Sequence, residues 1–469
     1  MSFVSFSFLF LFLPAVLFCY YAVPRRYPAA RNAVLLAGSF LFVFFAQPAG
    51  VPALLLAAAA LYFLGRGIGR ARTPRRRRGL LIAGTALFLA ALCVFKYTAF
   101  FVRNFNALFG TALTAPKLTA PFGVSFFTFL AIAYLADVYH GRCEAENNFA
   151  RLTLYLSLFP KYSQGPLTRY PAMREALSAR QETWPDAAQG AERIVLGLGK
   201  KLLLSNACAN ITAEIFALSA GALTPAKAWI GAFCYAWQIY FDFSGYTDMA
   251  LGLGLLFGFR LPENFRDPYM AVSATDFWRR WHITLSQWFR DYVYIPLGGN
   301  RKGKGRQLLN LLVVWLLTGL WHGASWNYVL WGLWFAALLM AEKLFLGRLL
   351  EKAPGFVGHV YAIFVILLGW VIFRCQSVGA VGTYLAALFG ATAARANDGG
   401  YCVLLLRQYG PELLLAAVLS TPLGKTFFGL LEQRRAGRIV RLVILLAVFA
   451  LSLLSLANTT MNAFIYAQF

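Results

Sequence analysis

Long apolar runs separated by short polar loops dominate the pattern along this 469-residue chain. A helix that crosses a bilayer needs about 20 predominantly apolar residues, and inside lipid it satisfies its own backbone hydrogen bonds. The pattern therefore predicts an all-α polytopic membrane protein with roughly ten to twelve membrane segments. The candidate spans are residues 3–23, 32–46, 51–65, 79–98, 121–139, 194–216, 225–257, 308–341, 356–374, 411–424 and 439–457.

The apolar runs change character along the chain. Simple spans fill residues 1–120, whereas Gly, Pro, Ser, Asp and aromatic residues interrupt the apolar stretches at 121–345, and ordinary spans return at 346–469. Interrupted backbone at membrane depth is tolerated only where it is buried in protein or lines a cavity. We therefore predict one integral membrane domain over 1–469, in which a functional core lies between two sets of scaffold helices.

Composition supports the membrane class, because 59% of the residues are hydrophobic and only 13% are charged. A soluble protein of this length needs more polar surface. The first run, FVSFSFLFLFLPAVLFCYYAV, lacks the basic leader and small-residue cleavage site of a signal peptide, so we expect an uncleaved first helix.

The formal net charge of +24 lies mostly in clusters between apolar runs. Short loops rich in Lys and Arg stay in the cytoplasm, which predicts an outside N-terminus and inside loops at 24–31 and 66–78. The clusters also suit anionic lipid headgroups, and we expect no nucleic-acid partner. The basic clusters are Arg25, Arg26 and Arg31, then 65–79, 301–306 and 434–441.

The seven cysteines are scattered, mostly in apolar runs, and contain no C-x-x-C pair. This pattern favours small buried hydrophobic residues over a disulfide framework or a zinc site, and we expect no metal. A thioacyl intermediate on Cys208 or Cys234 has no support in the sequence. The motifs of serine hydrolases (G-x-S-x-G), P-loop NTPases and H-E-x-x-H zinc proteases are absent.

One of only four histidines, His322, lies inside the apolar segment 308–341. That segment is either one long tilted helix or two helical parts that meet at 319–327, beside small residues that would leave room for something other than a side chain. A polar group in hydrocarbon costs several kcal/mol unless it is satisfied, and ionisable residues there usually mark function. His322 is therefore either a general base or a histidine that is hydrogen-bonded to a neighbouring helix.

The polar interval 260–306 contains a second histidine, His282. Helical periodicity over 277–294 predicts one helix with Thr275 or Asp276 as its N-cap, and it places His282 on a stripe that is at least half buried. From chemistry alone this helix is either an interfacial anchor, rich in Trp and Arg, or part of a site.

Two carboxylates, Asp242 and Asp248, are unusual at membrane depth. They either orient a histidine or cap a broken helix, and capping is favoured.

Two stretches identify a family. DFWRRWHITLSQWFRDYVYIPLGGNRKGKG (276–305) and TGLWHGASWNYVLWG (318–332) resemble the membrane-bound O-acyltransferase (MBOAT) family, and within it the alginate O-acetyltransferase (AlgI-like) branch. Supporting stretches are PFGVSFFTF (121–129), FPKYSQGPLTRY (159–170), YFDFSGYTDMALGLGLLFGFRLPENFRDPY (240–269) and WVIFR (370–374).

The resemblance implies a ring of membrane helices, with re-entrant or interfacial helices, around a central funnel. His322 matches the catalytic histidine of the family, and His282 matches the second histidine of the bacterial branch. Residues that bind the donor are not assigned.

The implied activity is transfer of an acetyl group from a cytoplasmic thioester, acetyl-CoA, to an extracytoplasmic polysaccharide such as alginate. The implied partners are the lipid bilayer, an SGNH-esterase-type protein and the polysaccharide, in the bacterial inner membrane. Peptidoglycan O-acetylation and D-alanyl transfer to teichoic acid are the alternatives within the family, and a polysaccharide transporter is the alternative from another class.

Overall fold

The computed structural model describes residues 1–392, 394, 398–458 and 464–465, and helices make up most of them. Within those residues no β-strand occurs. The first ten helices are α1 (Leu13–Ala22), α2 (Pro28–Ala46), α3 (Gly50–Arg70), α4 (Pro74–Phe109), α5 (Val124–Tyr139), α6 (Phe149–Ser157), α7 (Tyr170–Ser178), α8 (Trp184–Gly199), α9 (Asn206–Phe216) and α10 (Pro225–Leu256). The others are α11 (Ala274–Arg280), α12 (Ile283–Phe289), α13 (Lys304–His322), α14 (Trp326–Ala341), α15 (Gly347–Lys352), α16 (Gly355–Arg374), α17 (Val378–Leu388), α18 (Gly399–Leu419), α19 (Leu423–Glu432) and α20 (Arg435–Asn458).

Eight helical stretches in the described chain are long and apolar enough to cross a membrane, which confirms an all-α polytopic membrane protein. The predicted spans 3–23 and 121–139 are shorter apolar helices of 10–17 residues. α17 is another short apolar helix, and the apolar pattern did not predict it. The predicted span 411–424 is in fact α18, which begins at Gly399 and contains Pro411.

The described chain divides into two compact units. Residues 1–194 and 249–262 form unit 1, and residues 195–248 and 263–469 form unit 2. The ring, the funnel and the division into scaffold and core stay predictions.

Unit 1 is held by aromatic packing and by one buried carboxylate. Phe12 packs edge-on against Phe159 at 5.3 Å between ring centroids, and Phe42 lies 5.9 Å from the same ring. Glu182 pairs with Arg31 at 2.8 Å and accepts a hydrogen bond from the Tyr20 hydroxyl. A charge buried with its partner in this way ties separate helices together.

Unit 2 contains the segment that carries His322, and it is two helices. α13 ends at His322, and α14 begins at Trp326, so of the two interpretations of 308–341 the structure has the broken one. The indole rings of Trp278, Trp315, Trp331 and Trp370 pack together as an indole core, to which α13 contributes Trp315 and α14 contributes Trp331.

The prediction of one continuous helix over 277–294 was wrong. α11 ends at Arg280, and α12 starts at Ile283 after a left-handed residue at His282, so the helical hydrogen bonds are interrupted there. The N-cap is Ser273, whose hydroxyl accepts a hydrogen bond from the Asp276 N–H at 3.0 Å, rather than Thr275 or Asp276.

Candidate active site

A cavity of about 230 Å³ lies in unit 2, among α11, α12, α13 and α14. Its lining is mainly apolar and aromatic, and the exposed side chains of Arg279 and Arg290 border it, so the cavity reaches the protein surface. Its other lining residues are Thr275, Trp278, Trp281, His282, Leu285, Ser286, Phe289, Tyr294, Leu311, Val314, Trp315, Thr318, His322, Trp331 and Leu339.

The two histidines singled out from the sequence, His282 and His322, both line this cavity. They are 40 positions apart in the chain and come together because α12 and α13 border the same space. His282 is 2% exposed and His322 is 4% exposed, so each imidazole is removed from bulk solvent except through the cavity. This arrangement suits proton transfer in a water-poor site.

The backbone at His282 has an unusual conformation, with φ of 45° and ψ of 52°. A non-glycine residue in this left-handed region carries strain, and such residues concentrate at functional sites. Neighbouring backbone hydrogen bonds hold the conformation: the Ile283 N–H donates to the Asn264 carbonyl oxygen at 3.0 Å, and the Arg266 N–H donates to the Arg280 carbonyl oxygen at 2.9 Å.

The side chain of Asn264 determines the tautomer of His282. Its Oδ1 accepts the Thr284 backbone N–H at 3.1 Å and the Thr284 hydroxyl at 2.9 Å, and a backbone N–H can only donate. Because Oδ1 is therefore an acceptor, His282 Nδ1, at 3.2 Å from it, carries the hydrogen. In the neutral ring the lone pair then lies on Nε2.

The other nitrogen of His282 is available for chemistry. Within the described chain, the buried Nε2 has no hydrogen-bond partner. Burial lowers the pKa of His282 to about 3, so the ring stays neutral at physiological pH. The ring of Phe243 meets it edge-on at 4.7 Å, which fixes its plane. His282 can therefore accept a hydrogen bond or a proton at Nε2.

His322 is fixed by aromatic rings. Trp331 and Phe373 each contact it edge-on, at 5.0 Å and 5.1 Å between ring centroids. The small residues Gly319 and Gly323, which were expected to leave room for something other than a side chain, are both covered by Tyr328, by its backbone at Gly319 and by its ring at Gly323. An added methyl would lie 2.3 Å from the Tyr328 carbonyl oxygen at Gly319 and 2.1 Å from the Tyr328 ring at Gly323, so α14 fills that space.

Glu342 fixes the start of α11, beside the cavity, and the sequence patterns did not single it out. Its carboxylate accepts hydrogen bonds from the backbone N–H groups of Ala274 and Thr275, at 2.7 Å and 2.9 Å, and from the Tyr361 hydroxyl at 3.1 Å. A carboxylate at a helix N-terminus is favourable because the N–H groups there lack intrahelical partners.

The two acidic residues of α10 have a role that neither sequence interpretation included. Asp242 pairs with Lys201 at 2.7 Å, and Asp248 pairs with Lys200 at 2.6 Å. The two lysines are the first residues of a π-helical turn, residues 200–205, between α8 and α9. In the described part of the chain the carboxylates bind ammonium groups, and Asp242 also accepts a hydrogen bond from the Ile465 backbone N–H at 2.8 Å.

The cysteines do not enter the cavity. Cys208, Cys234 and Cys375 are buried, as predicted for small hydrophobic residues, whereas Cys19 and Cys93 are exposed on their helices. The cavity lining contains none of the seven.

Comparison with known proteins assigns the chain to a family. Residues 145–381 match the membrane-bound O-acyltransferase family. The chain is 37% identical to the probable alginate O-acetylase AlgI of Azotobacter vinelandii, over 90% of the chain and 84% of that protein. It is 35% identical to the corresponding Pseudomonas putida protein over the full length of both.

A relative with a different named acceptor is also similar. The peptidoglycan O-acetyltransferase of Helicobacter pylori is 31% identical, over 82% of the chain and 79% of that protein. The chain therefore belongs to the membrane-bound O-acyltransferase family and is an enzyme that transfers acyl groups to oxygen.

Proposed function

We propose that this O-acyltransferase takes an acetyl group from a cytoplasmic thioester, acetyl-CoA, and delivers it for O-acetylation of an extracytoplasmic polysaccharide such as alginate. The observation that carries the proposal is the pair of buried imidazoles, His282 and His322, in one cavity that reaches the surface. The similarity to alginate O-acetylases over most of the chain supports the acceptor class.

The size of the cavity supports a donor that places only its acyl end inside the cavity. Sites that enclose a whole drug-sized ligand have volumes of roughly 300–1,000 Å³. A space of about 230 Å³ suits the acyl thioester and part of a carrier arm, whose remainder stays outside. Arg279 at the border is suited to a phosphate group on such a carrier, because a guanidinium binds phosphate oxygens in a bidentate manner. The Arg290 guanidinium also borders the cavity and is held by Asp291 at 2.7 Å.

His322 is the proposed general base. It is the last residue of α13, where the carbonyl end of the helix stabilises the positive charge that an imidazole gains with a proton. The acceptor oxygen, on a hydroxyl or a relay group, bonds to the acyl carbon while His322 takes its proton. The carbon–sulfur bond then breaks, and the leaving thiolate takes the proton back from His322, which restores the neutral base.

His282 is the proposed orienting group. It precedes α12, where the N–H end of a helix disfavours a positive charge, and Asn264 holds it with the lone pair on Nε2. A neutral acceptor in this position accepts a hydrogen bond from a second N–H or O–H group of the donor or acceptor molecule, which leaves the proton of the reacting hydroxyl to His322.

We also propose an SGNH-esterase-type partner that passes the acetyl group to the polymer, and a location in the bacterial inner membrane. Peptidoglycan is the second candidate acceptor, since the Helicobacter pylori relative that is named for that polymer covers most of the chain.

The test is thioester turnover in purified membranes that contain the full-length protein, with labelled acetyl-CoA as donor. General acid–base catalysis contributes about 10²–10⁴-fold, so His322→Gln is expected to lower acetyl transfer by at least about 10²-fold. The matched control is His140→Gln, because His140 is an exposed histidine in the loop after α5.

Size-exclusion profiles and melting temperatures verify that each variant is folded. Unchanged turnover in folded His322→Gln protein would refute the role of His322. No acetyl-CoA consumption by the wild-type protein would refute the donor, and a polysaccharide transporter would behave in that way.

A further inference from the structure

The centre of α18 carries polar groups at membrane depth. α18 has 21 residues, which corresponds to about 31 Å and matches a hydrocarbon core of about 30 Å. Only 11% of its most apolar window is buried within the protein. Arg407 is exposed and lies two residues before the midpoint of the helix at Tyr409.

The face around Arg407 is mainly apolar. Leu404 is 61% exposed and Leu414 is 67% exposed, one turn before and two turns after Arg407. Such a face suits lipid chains, except at this cation and at the neighbouring Gln408, which is exposed and donates a hydrogen bond to the Tyr409 hydroxyl. The other large exposed apolar residues of the helix are Val403, Leu406, Leu415 and Val418.

A second polar group lies at the same level. Pro411 is inside α18, and a proline has no backbone N–H to donate to the carbonyl four residues earlier. That carbonyl belongs to Arg407. The residue therefore presents both a guanidinium and a backbone oxygen that lacks its helical hydrogen bond.

α18 does not neutralise Arg407 itself. Its single carboxylate, Glu412, is five residues away, and at 100° per residue it lies about 140° around the helix. Glu412 is on the side of Ala416, which is buried, and no ion pair of Arg407 occurs within the described residues. A guanidinium near the bilayer midplane costs several kcal/mol, and its side chain is too short to reach the headgroups without bilayer distortion.

We propose that the Arg407 face of α18 binds the transmembrane helix of a partner protein that carries a carboxylate side chain near its midpoint. The carboxylate neutralises the guanidinium, and both are removed from the lipid chains. Acceptor and donor groups between helices in lipid stabilise association by about 1–2 kcal/mol in peptide systems.

A second copy of this chain does not provide a carboxylate that would neutralise Arg407. Identical subunits in a membrane are related by an axis along the bilayer normal, so each residue meets its counterpart at the same depth. Such a dimer through this face would bring two Arg407 guanidinium groups together. The charge therefore favours a heterologous helix.

The test uses two synthetic probes in phosphatidylcholine vesicles that contain the purified full-length protein. Both are Leu/Ala helices of about 21 residues with lysine ends and a dansyl label, one with Glu and one with Leu at the midpoint. Energy transfer from the 12 tryptophans to the dansyl group reports binding. We expect about tenfold tighter binding of the Glu probe, since 1.4 kcal/mol corresponds to a factor of ten.

Three variants make the result specific. Arg407→Leu should abolish the preference for the Glu probe, whereas Arg435→Leu, at the first residue of α20, should leave it unchanged. Arg407→Glu should instead favour a probe with Lys at its midpoint. Equal binding of the Glu and Leu probes to the wild-type protein, or a retained preference in Arg407→Leu, would overturn the proposal, whatever the outcome for acetyl transfer.

Discussion

His282 and His322 differ in electrostatic setting although they share one cavity. His282 precedes the N-terminus of α12, and His322 ends α13 at its carbonyl terminus. The partial charges of a helix favour a neutral ring in the first position and a protonated ring in the second. The two residues are therefore expected to have separate roles, one as a hydrogen-bond acceptor and one as the base.

Asn264 is expected to be a positioning residue for His282. Replacing it by Leu removes the oxygen that fixes Nδ1–H, so acetyl transfer should fall roughly 10–100-fold, as for other groups that orient a histidine. Thr284→Val is the matched control, because it removes only the hydroxyl bond to the same oxygen and keeps the backbone N–H. We expect its turnover to stay within about twofold of wild type.

The pH profile separates positioning from general destabilisation. Wild-type His282 has a pKa of about 3 because it is buried, so its ring is neutral at pH 5–8. In Asn264→Asp the new carboxylate favours the imidazolium and raises that pKa, so activity should decline as pH falls and recover at higher pH. A uniform loss of activity at every pH would contradict this role of Asn264.

At the residue scale, the two histidines could be identified from the sequence, but the residues that position the site could not. His282 and His322 stand in motifs of adjacent residues, which the sequence displays directly. Asn264 contacts His282 across 18 positions, and Glu342 contacts Ala274 across 68 positions. No periodicity in the sequence reports such distant contacts, so these two residues became apparent only in the folded chain.

At the element scale, close contact between α13 and α14 determines where His322 lies. A methyl group added at Gly319 would be 2.3 Å from the carbonyl oxygen of Tyr328, and one added at Gly332 would be 2.4 Å from that of Trp315. Only glycine permits the two backbones to approach in this way. His322 is three residues, nearly one turn, beyond Gly319.

Gly319→Ala is expected to separate the two helices and displace His322. Overpacking of this kind costs about 1–3 kcal/mol, and a displacement of about 1 Å in an active site can lower the rate about 10²-fold. Both the melting temperature and acetyl transfer should therefore fall. Gly305→Ala is the control, because Gly305 is in the same helix and has open space around it. If Gly319→Ala matched Gly305→Ala in both measurements, the contact would not determine the site.

Helix positions followed from apolar runs, and the break at 319–327 was one of the two interpretations of 308–341, but the break at His282 was not predicted. The apolar length of α16 or α20 is enough to predict each helix, because burial in lipid requires it. The break at His282 depends on hydrogen bonds from 264–266 to 280–283, which replace the helical ones. The periodicity of 277–294 continues through that break, so it predicted a single helix.

At the scale of the whole molecule, charge placement predicts orientation. Arg72, Arg75, Arg76 and Arg78 are exposed at or just before the start of α4, which is 36 residues long and ends at Phe109. At 1.5 Å per residue α4 is about 54 Å long, more than a bilayer with its headgroups. Its two ends should therefore lie on opposite sides of the membrane, with the arginine-rich end in the cytoplasm.

Single cysteines at these two ends test that orientation. In a protein whose seven cysteines are replaced by alanine, Arg72→Cys and Lys117→Cys place thiols in exposed positions before and after α4. A membrane-impermeant maleimide added to intact spheroplasts should label Cys at 117 and spare Cys at 72, and inverted vesicles should reverse the pattern. Labelling of both from one side would show that α4 does not cross the bilayer. The opposite pattern would place the basic loop before α4 outside and would contradict the orientation predicted from charge.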